Sequence, residues 1–155
     1  MENNYSSTYP VQIVRVGTKR TFNYSIRETT EEEILELWNQ SGRSEEEGDT
    51  PPQYFKNEHK YTYHSVTIPM GKWSYDGVVN AIIREKYRED QMEAITNNMN
   101  VIVGEFFNQL VTGGIIQATK YLVGSIHDAN TANFKEMQEW RAMAKSEARR
   151  VFKKE

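Results

Sequence analysis

The sequence predicts an α+β fold, with a small antiparallel β-sheet in the N-terminal half and three to four helices in the C-terminal half. Two observations predict it. Short runs before Pro69 alternate apolar and polar residues, whereas runs after Ser74 repeat at helical spacing. The tyrosines, which suit strands, also crowd the first half: six of the nine lie before His64.

Taken in order, residues 1–10 are polar and patternless and read as a flexible tail. Residues 11–72 read as a β-rich part with one short helix, and residues 73–155 as a helical part, together one compact unit. Val11–Val16 is β-branched enough for a strand, and Gly17-Thr18-Lys19-Arg20 supplies a turn. Thr21–Arg27 then alternates, with Phe22, Tyr24 and Ile26 on one face, so a β-hairpin is expected. Thr30-Glu31-Glu32-Glu33 has the form of a capping box, and its acidic first turn complements the helix dipole. The short helix it starts carries Ile34, Leu35, Leu37 and Trp38 and ends near Ser41-Gly42. Arg43 to Pro52 reads as a solvated loop. Tyr61–Ile68 is a further strand, with Thr62, His64, Val66 and Ile68 on one face and Tyr61, Tyr63, Ser65 and Thr67 on the other.

The period then changes. Ser74 caps a helix whose stripe is Tyr75, Val78, Val79, Ile82, Ile83 and Tyr87. A break at Arg88–Asp90 starts the next helix, with Met92, Ile95, Met99, Ile102, Val103, Phe106 and Leu110 at helical spacing and Gly113-Gly114 as its stop. Ile115–Ile126 is the most apolar segment; it reads as a helix on its flanks or a strand on its β-branching, with helix favoured, and it either closes the core or faces a neighbour. The last helix, capped at Thr131, turns Phe134, Met137, Trp140, Ala144, Ala148 and Val151 inward.

Composition narrows the chemistry. Without a cysteine, thiolate zinc sites, iron–sulfur clusters and cysteine nucleophiles are excluded. His59, His64 and His127 do not converge in sequence as zinc ligands would, and the acidic pairs Glu31–Glu33 and Glu45–Glu47 read as a cap and a solvated loop. Gly113-Gly114 follows a helix and lacks the Lys and Ser/Thr of a phosphate-binding loop. No catalytic, cofactor or metal residue is therefore expected. No run of apolar residues reaches membrane-spanning length and no secretory signal opens the chain, so a protein made in the cytoplasm that stays there, or is released by lysis rather than export, is expected.

Binding surfaces are the remaining tool. Tyr24, Tyr61, Tyr63, Trp73, Tyr75, Ile115, Ile116, Tyr121 and Leu122 are interface candidates, although tyrosines also serve as ordinary strand residues. Charge is segregated: nine acidic residues against one Arg from Glu28 to Thr50, and six basic against two acidic from Arg141 to Glu155. Such blocks suit docking or simply solvation. Arg141, Lys145, Arg149 and Arg150 are candidate contacts for an anion or an acidic partner, or a solvated helix face. The basic, aromatic stretch Arg15–Arg27 could serve nucleic acid, though the adjacent acidic segment opposes this.

The block from Thr67-Ile68-Pro69 to Asn97-Asn98, together with FKEMQEWRAMAKSEA from Phe134 to Ala148, resembles small uncharacterised virion-associated or accessory proteins of phages and prophages of gut bacteria. The likeness lies in a strand ending in Pro, a W-x-Y helix start, A-I-I/V-R-x-K-Y and A-I-x-N-N. These are carried by Trp73, Tyr75, Ala81, Ile82, Ile83, Arg84, Lys86, Tyr87, Ala94, Ile95, Asn97 and Asn98. Phe106–Ile126 looks like an insertion relative to that pattern. The resemblance implies a virion or phage-encoded accessory role rather than a reaction. With the tyrosine-rich sheet, the unequal charge segments and the apolar 115–126 stretch as contact surfaces, a non-enzymatic structural or assembly role is expected, multimeric in a virion after residence in the host cytoplasm, with copies of itself and other virion components as partners. The alternative is a phage-encoded regulator or inhibitor that binds a host protein or nucleic acid.

Overall fold

The computed structural model describes residues 1–41, 48–126 and 128–152. The α+β arrangement is as predicted, with a sheet in the N-terminal half and helices in the C-terminal half. The chain divides into two units, Met1–Val78 and Val79–Glu155.

The expected hairpin anchors the first unit. Strands β2 (Ile13–Val16) and β3 (Lys19–Glu28) pair antiparallel, with Val16 opposite Lys19. The turn is therefore Gly17-Thr18, and Gly17 sits at φ 59°, a backbone region open to glycine. Strand β4 (Tyr61–Pro69) pairs along β3 and sets Val66 opposite Phe22 and Ile68 opposite Arg20. Phe22, Tyr24, Thr62, Val66 and Ile68 are buried, so this face carries the core. The other face holds a polar ladder. Thr21 bonds Thr67 (3.3 Å), and the Ser65 hydroxyl donates to Asn23 Oδ1 (2.6 Å), whose amide donates to the Val11 carbonyl (2.7 Å).

Two strand expectations are corrected. Residues 1–10 are not simply a tail: β1 (Asn4–Ser6) pairs with Tyr61–Tyr63 and completes the sheet in the order β1-β4-β3-β2. The alternation of β3 also breaks. The register passes from Tyr24–His64 to Arg27–Thr62, so Ser25 and Ile26 together oppose Tyr63, with Ser25 at φ 51°. This bulge puts Arg27, not Ile26, on the face of Phe22 and Tyr24.

Helix α1 (Glu31–Gln40) starts as expected, the Glu33 N–H donating to Thr30 Oγ1 at 3.3 Å. The Glu33 carboxylate meets the Arg27 guanidinium in a two-pronged pair (2.8 and 2.9 Å). That bonding, with the Thr30 backbone N–H adding to it, holds the Glu33 carboxyl below its ordinary range. Helix α2 (Gln53–Glu58) was not foreseen. It buries Phe55 against Ile34, Leu37 and Trp38, the Trp38 and Phe55 rings meeting edge-on at 5.0 Å. His59 stacks on Phe55 at 4.3 Å, and Tyr5 lies 5.1 Å beyond. The charged loop expected before α2 lies partly outside the described residues.

Helix α3 (Tyr75–Lys86) is capped by Ser74, whose hydroxyl accepts the Gly77 N–H at 3.1 Å, and it crosses the boundary between the units. In the second unit its stripe of Val79, Ile82 and Ile83, continued by Tyr87, is buried. The expected break follows, and α4 (Glu89–Ser125) opens with the Arg88 N–H donating to the Gln91 side chain at 2.9 Å. Helix α5 (Ala129–Phe152) buries Met137, Ala144 and Ala148. Its Trp140 indole donates to the Ile82 carbonyl at 3.1 Å, with the Lys86 ammonium 5.1 Å from the ring. Asp128 rather than Thr131 caps it, accepting the Asn130 N–H at 2.7 Å, while the Thr131 hydroxyl bonds the Ser125 carbonyl.

Gly113-Gly114 ends the first helical arm, as expected, and a second arm follows directly across a sharp kink. Gly114 adopts φ 76° and ψ −176°, and helix continues on both sides, which settles 115–125 as helical. That backbone region is essentially closed to side-chain-bearing residues. Gly114→Ala is expected to cost about 1–3 kcal/mol, read as a lower urea midpoint at constant slope. An unchanged midpoint would show that the kink is not needed by the fold.

Candidate interaction surface

Helix α4 is built to bury one face and leaves another uncovered. On its first arm Ile102 is buried and Met92, Ile95, Met99, Phe106 and Leu110 are half-buried, as the spacing predicts. Val103, expected among them, is exposed. The opposite side carries Val101, Phe107 (57% exposed) and Val111 (85%), set among the exposed polar residues Asn97, Asn100, Asn108 and Thr112. Past the kink Ala118 is buried and Tyr121 half-buried, while Ile115 (66%), Ile116 (71%), Leu122, Val123 and Ile126 face outward. Between Glu93 and His127 the sequence holds just two charged residues, Glu105 and Lys120. Among the described residues no helix is long and apolar enough to cross a membrane.

Of the residues singled out in the sequence, Ile115, Ile116 and Leu122 therefore come together on this surface, with Tyr121 beside them. The remaining aromatic candidates belong to the other unit. Tyr24 is corrected outright: it is fully buried, stacked 6.2 Å from Phe22 and with the tilted His64 ring at 5.6 Å, and is a core residue. Its place on the alternating face of β3 is what turns it inward. Tyr61 and Tyr63 are half-buried on the polar face of the sheet, Tyr61 meeting Tyr9 edge-on at 5.5 Å. Trp73 is half-buried, with Phe22 at 6.5 Å and the Arg20 guanidinium 5.0 Å from its ring. Tyr75 is half-buried at the first position of α3.

The basic residues of α5 divide. Lys145, Arg149 and Arg150 are exposed, and Arg150 lies 3.5 Å from the buried Glu147. Arg141 is half-buried and lines an open groove of about 440 Å³ with Arg84, Glu89 and Glu93. Two cations and two carboxylates give that groove no charge preference. Lys86 has its pKa raised, chiefly by its bond to Glu136. His59 and His64 have separate partners, the carbonyls of Phe55 and Glu2. Among the described residues no cluster of three or more His, Cys, Asp or Glu could hold a metal, and His127 lies outside them.

The outward residues of the first arm, Val101, Phe107 and Val111, were missed. The available signal was the lack of charge on either side of the stripe. With the fold and the surface defined, the chain is an α+β protein whose longest helix exposes large apolar side chains on both sides of its kink. No family model, curated protein or solved structure matches it.

Proposed function

We propose that this chain is a non-enzymatic assembly protein that works in several copies through protein–protein contacts, in the phage setting that the sequence resemblance implies. The observation that carries the reading is the exposed apolar side of α4, with Phe107, Val111, Ile115 and Ile116 all more than half exposed. Monomeric soluble proteins rarely leave more than a few hundred Å² of contiguous apolar surface in water, and larger patches mark interaction sites. The displaced titrations of Arg27, Glu33 and Lys86 arise from ion pairs at the surface, not from a shielded reaction centre.

Native mass tests this. Light scattering over a concentration series is expected to give a multiple of 18.1 kDa. A Phe107→Lys/Ile116→Lys variant is expected to return to the monomer with an unchanged circular dichroism spectrum, because both side chains already face water. A wild-type protein that stays monomeric at high concentration removes the reading.

A further inference from the structure

We infer that the closed end of the β2–β3 hairpin is a phosphate-binding site, and that a nucleic-acid strand supplies the phosphates. The inference goes beyond the assembly reading and does not depend on copy number. Strand register carries it. Arg15 stands directly opposite Arg20, so both guanidiniums leave the same face of the hairpin, the face of Phe22. Directly opposed side chains lie about 5 Å apart at Cβ, where like charges destabilise a sheet. Among the described residues no carboxylate relieves them, for neither Arg15 nor Arg20 enters an ion pair. Arg20 is half-buried and held 5.0 Å from the Trp73 ring, a contact that fixes the side chain without cancelling its charge.

Two lysines extend the patch. Lys19 closes the hairpin opposite Val16 and leaves the other face. The Met70 N–H donates to the Thr18 carbonyl at 3.1 Å, which seats the short Met70–Lys72 helix against the turn. Lys19 and Lys72 are exposed and, among the described residues, enter no ion pair either. The acidic segment that follows in sequence does not oppose these cations in space. Lys19 pairs with Pro69 at one end of β3, whereas Glu28 pairs with Tyr61 at the other. Extended backbone sets Glu28 roughly 25 Å along the strand from Arg20. Salt screens exposed charges over about 8–10 Å, so the two ends act separately. Glu33, beyond Glu28, is already taken by Arg27. Contacts between proteins are poor in lysine at their centre, whereas contacts with nucleic acid are strongly basic. Unpaired cations spread over two faces of an open hairpin end suit a row of phosphates better than one enclosed anion.

Fluorescence anisotropy of a labelled oligothymidylate, followed through a salt series, reads the site. Wild type is expected to bind with a log–log salt slope of about −3, the value for contacts from four cations to a single strand. Arg15→Gln is expected to weaken binding about tenfold at low salt and to reduce the slope by about 0.7, while Arg15→Lys keeps the slope. Lys19→Gln, at an exposed turn, should repeat the loss, and Arg149→Gln, in the other unit, should change neither quantity. Inorganic phosphate is expected to displace the oligonucleotide no better than chloride at equal ionic strength; stronger displacement would keep the phosphate site but make free phosphate its ligand. Poly-glutamate that bound as tightly, with the same dependence on Arg15, would make this a surface for acidic protein and overturn the proposal. Absence of oligonucleotide binding at low salt would overturn it too, as would an Arg149→Gln loss equal to that of Arg15→Gln.

Discussion

Replacing Phe22 by Ala is expected to lower the unfolding free energy by about 3–5 kcal/mol. Phe22 is fully buried at the centre of β3, stacked 6.2 Å from Tyr24 and edge-on to Trp73 at 6.5 Å. Across the ladder it stands between Ile13 and Val66, on the middle strands of the sheet. Truncation there removes the transfer energy of a whole ring and leaves a void that paired backbones on both sides cannot collapse to fill. Phe22→Leu, which keeps most of the volume, should cost less than half as much. Urea unfolding of the two variants beside wild type gives both numbers. A loss below about 1 kcal/mol for Phe22→Ala would mean that the sheet face is not the organising core of its unit.

That residue also shows what was legible. The shared face of Phe22 and Tyr24 was readable because a strand with one dry face must alternate, as the sequence does through Ile26, though Tyr24 also stood among the interface candidates. The bulge was not readable, since Ser25 at φ 51° is held by the pairing of β3 with β4 and by no local preference of Ser. Strand β1 was invisible for a related reason. Asn4-Tyr5-Ser6 buries little, and what holds it is backbone pairing to Tyr61–Tyr63, to which side-chain pattern is blind. In the helical half, period and caps revealed α3, α4 and most of α5. The Gly pair was legible as the end of the first arm, whereas the sharp kink that joins the next arm without a loop depends on what the chain does afterwards. As for the interaction surface, the segment beyond the kink was flagged for its composition. The first arm was assigned inward because a helical stripe explains one face and is silent about apolar residues on the other.

Helix α2 is the clearest case of structure that tertiary burial creates, and it motivates the second large effect. Six residues are too few to hold a helix in water, so Gln53–Glu58 depends on what Phe55 packs against. Its partner is Trp38, 2% exposed, whose ring meets Phe55 edge-on and whose indole N–H donates to the Gly48 carbonyl at 3.2 Å. Trp38→Ala is expected to cost about 3–5 kcal/mol and to detach α2, seen as faster amide hydrogen exchange at Tyr54–Asn57. Trp38→Phe separates the two contributions. It keeps an aromatic edge for Phe55 but cannot donate to Gly48, so about 1 kcal/mol should be lost while exchange in α2 stays slow. Were Trp38→Phe as damaging as Trp38→Ala, the indole bond and not ring packing would be what fixes this cluster. Were neither to change exchange at Tyr54–Asn57, α2 would owe its stability to Pro51-Pro52 ahead of it, and the cluster of Ile34, Trp38 and Phe55 would follow from the helix instead of causing it.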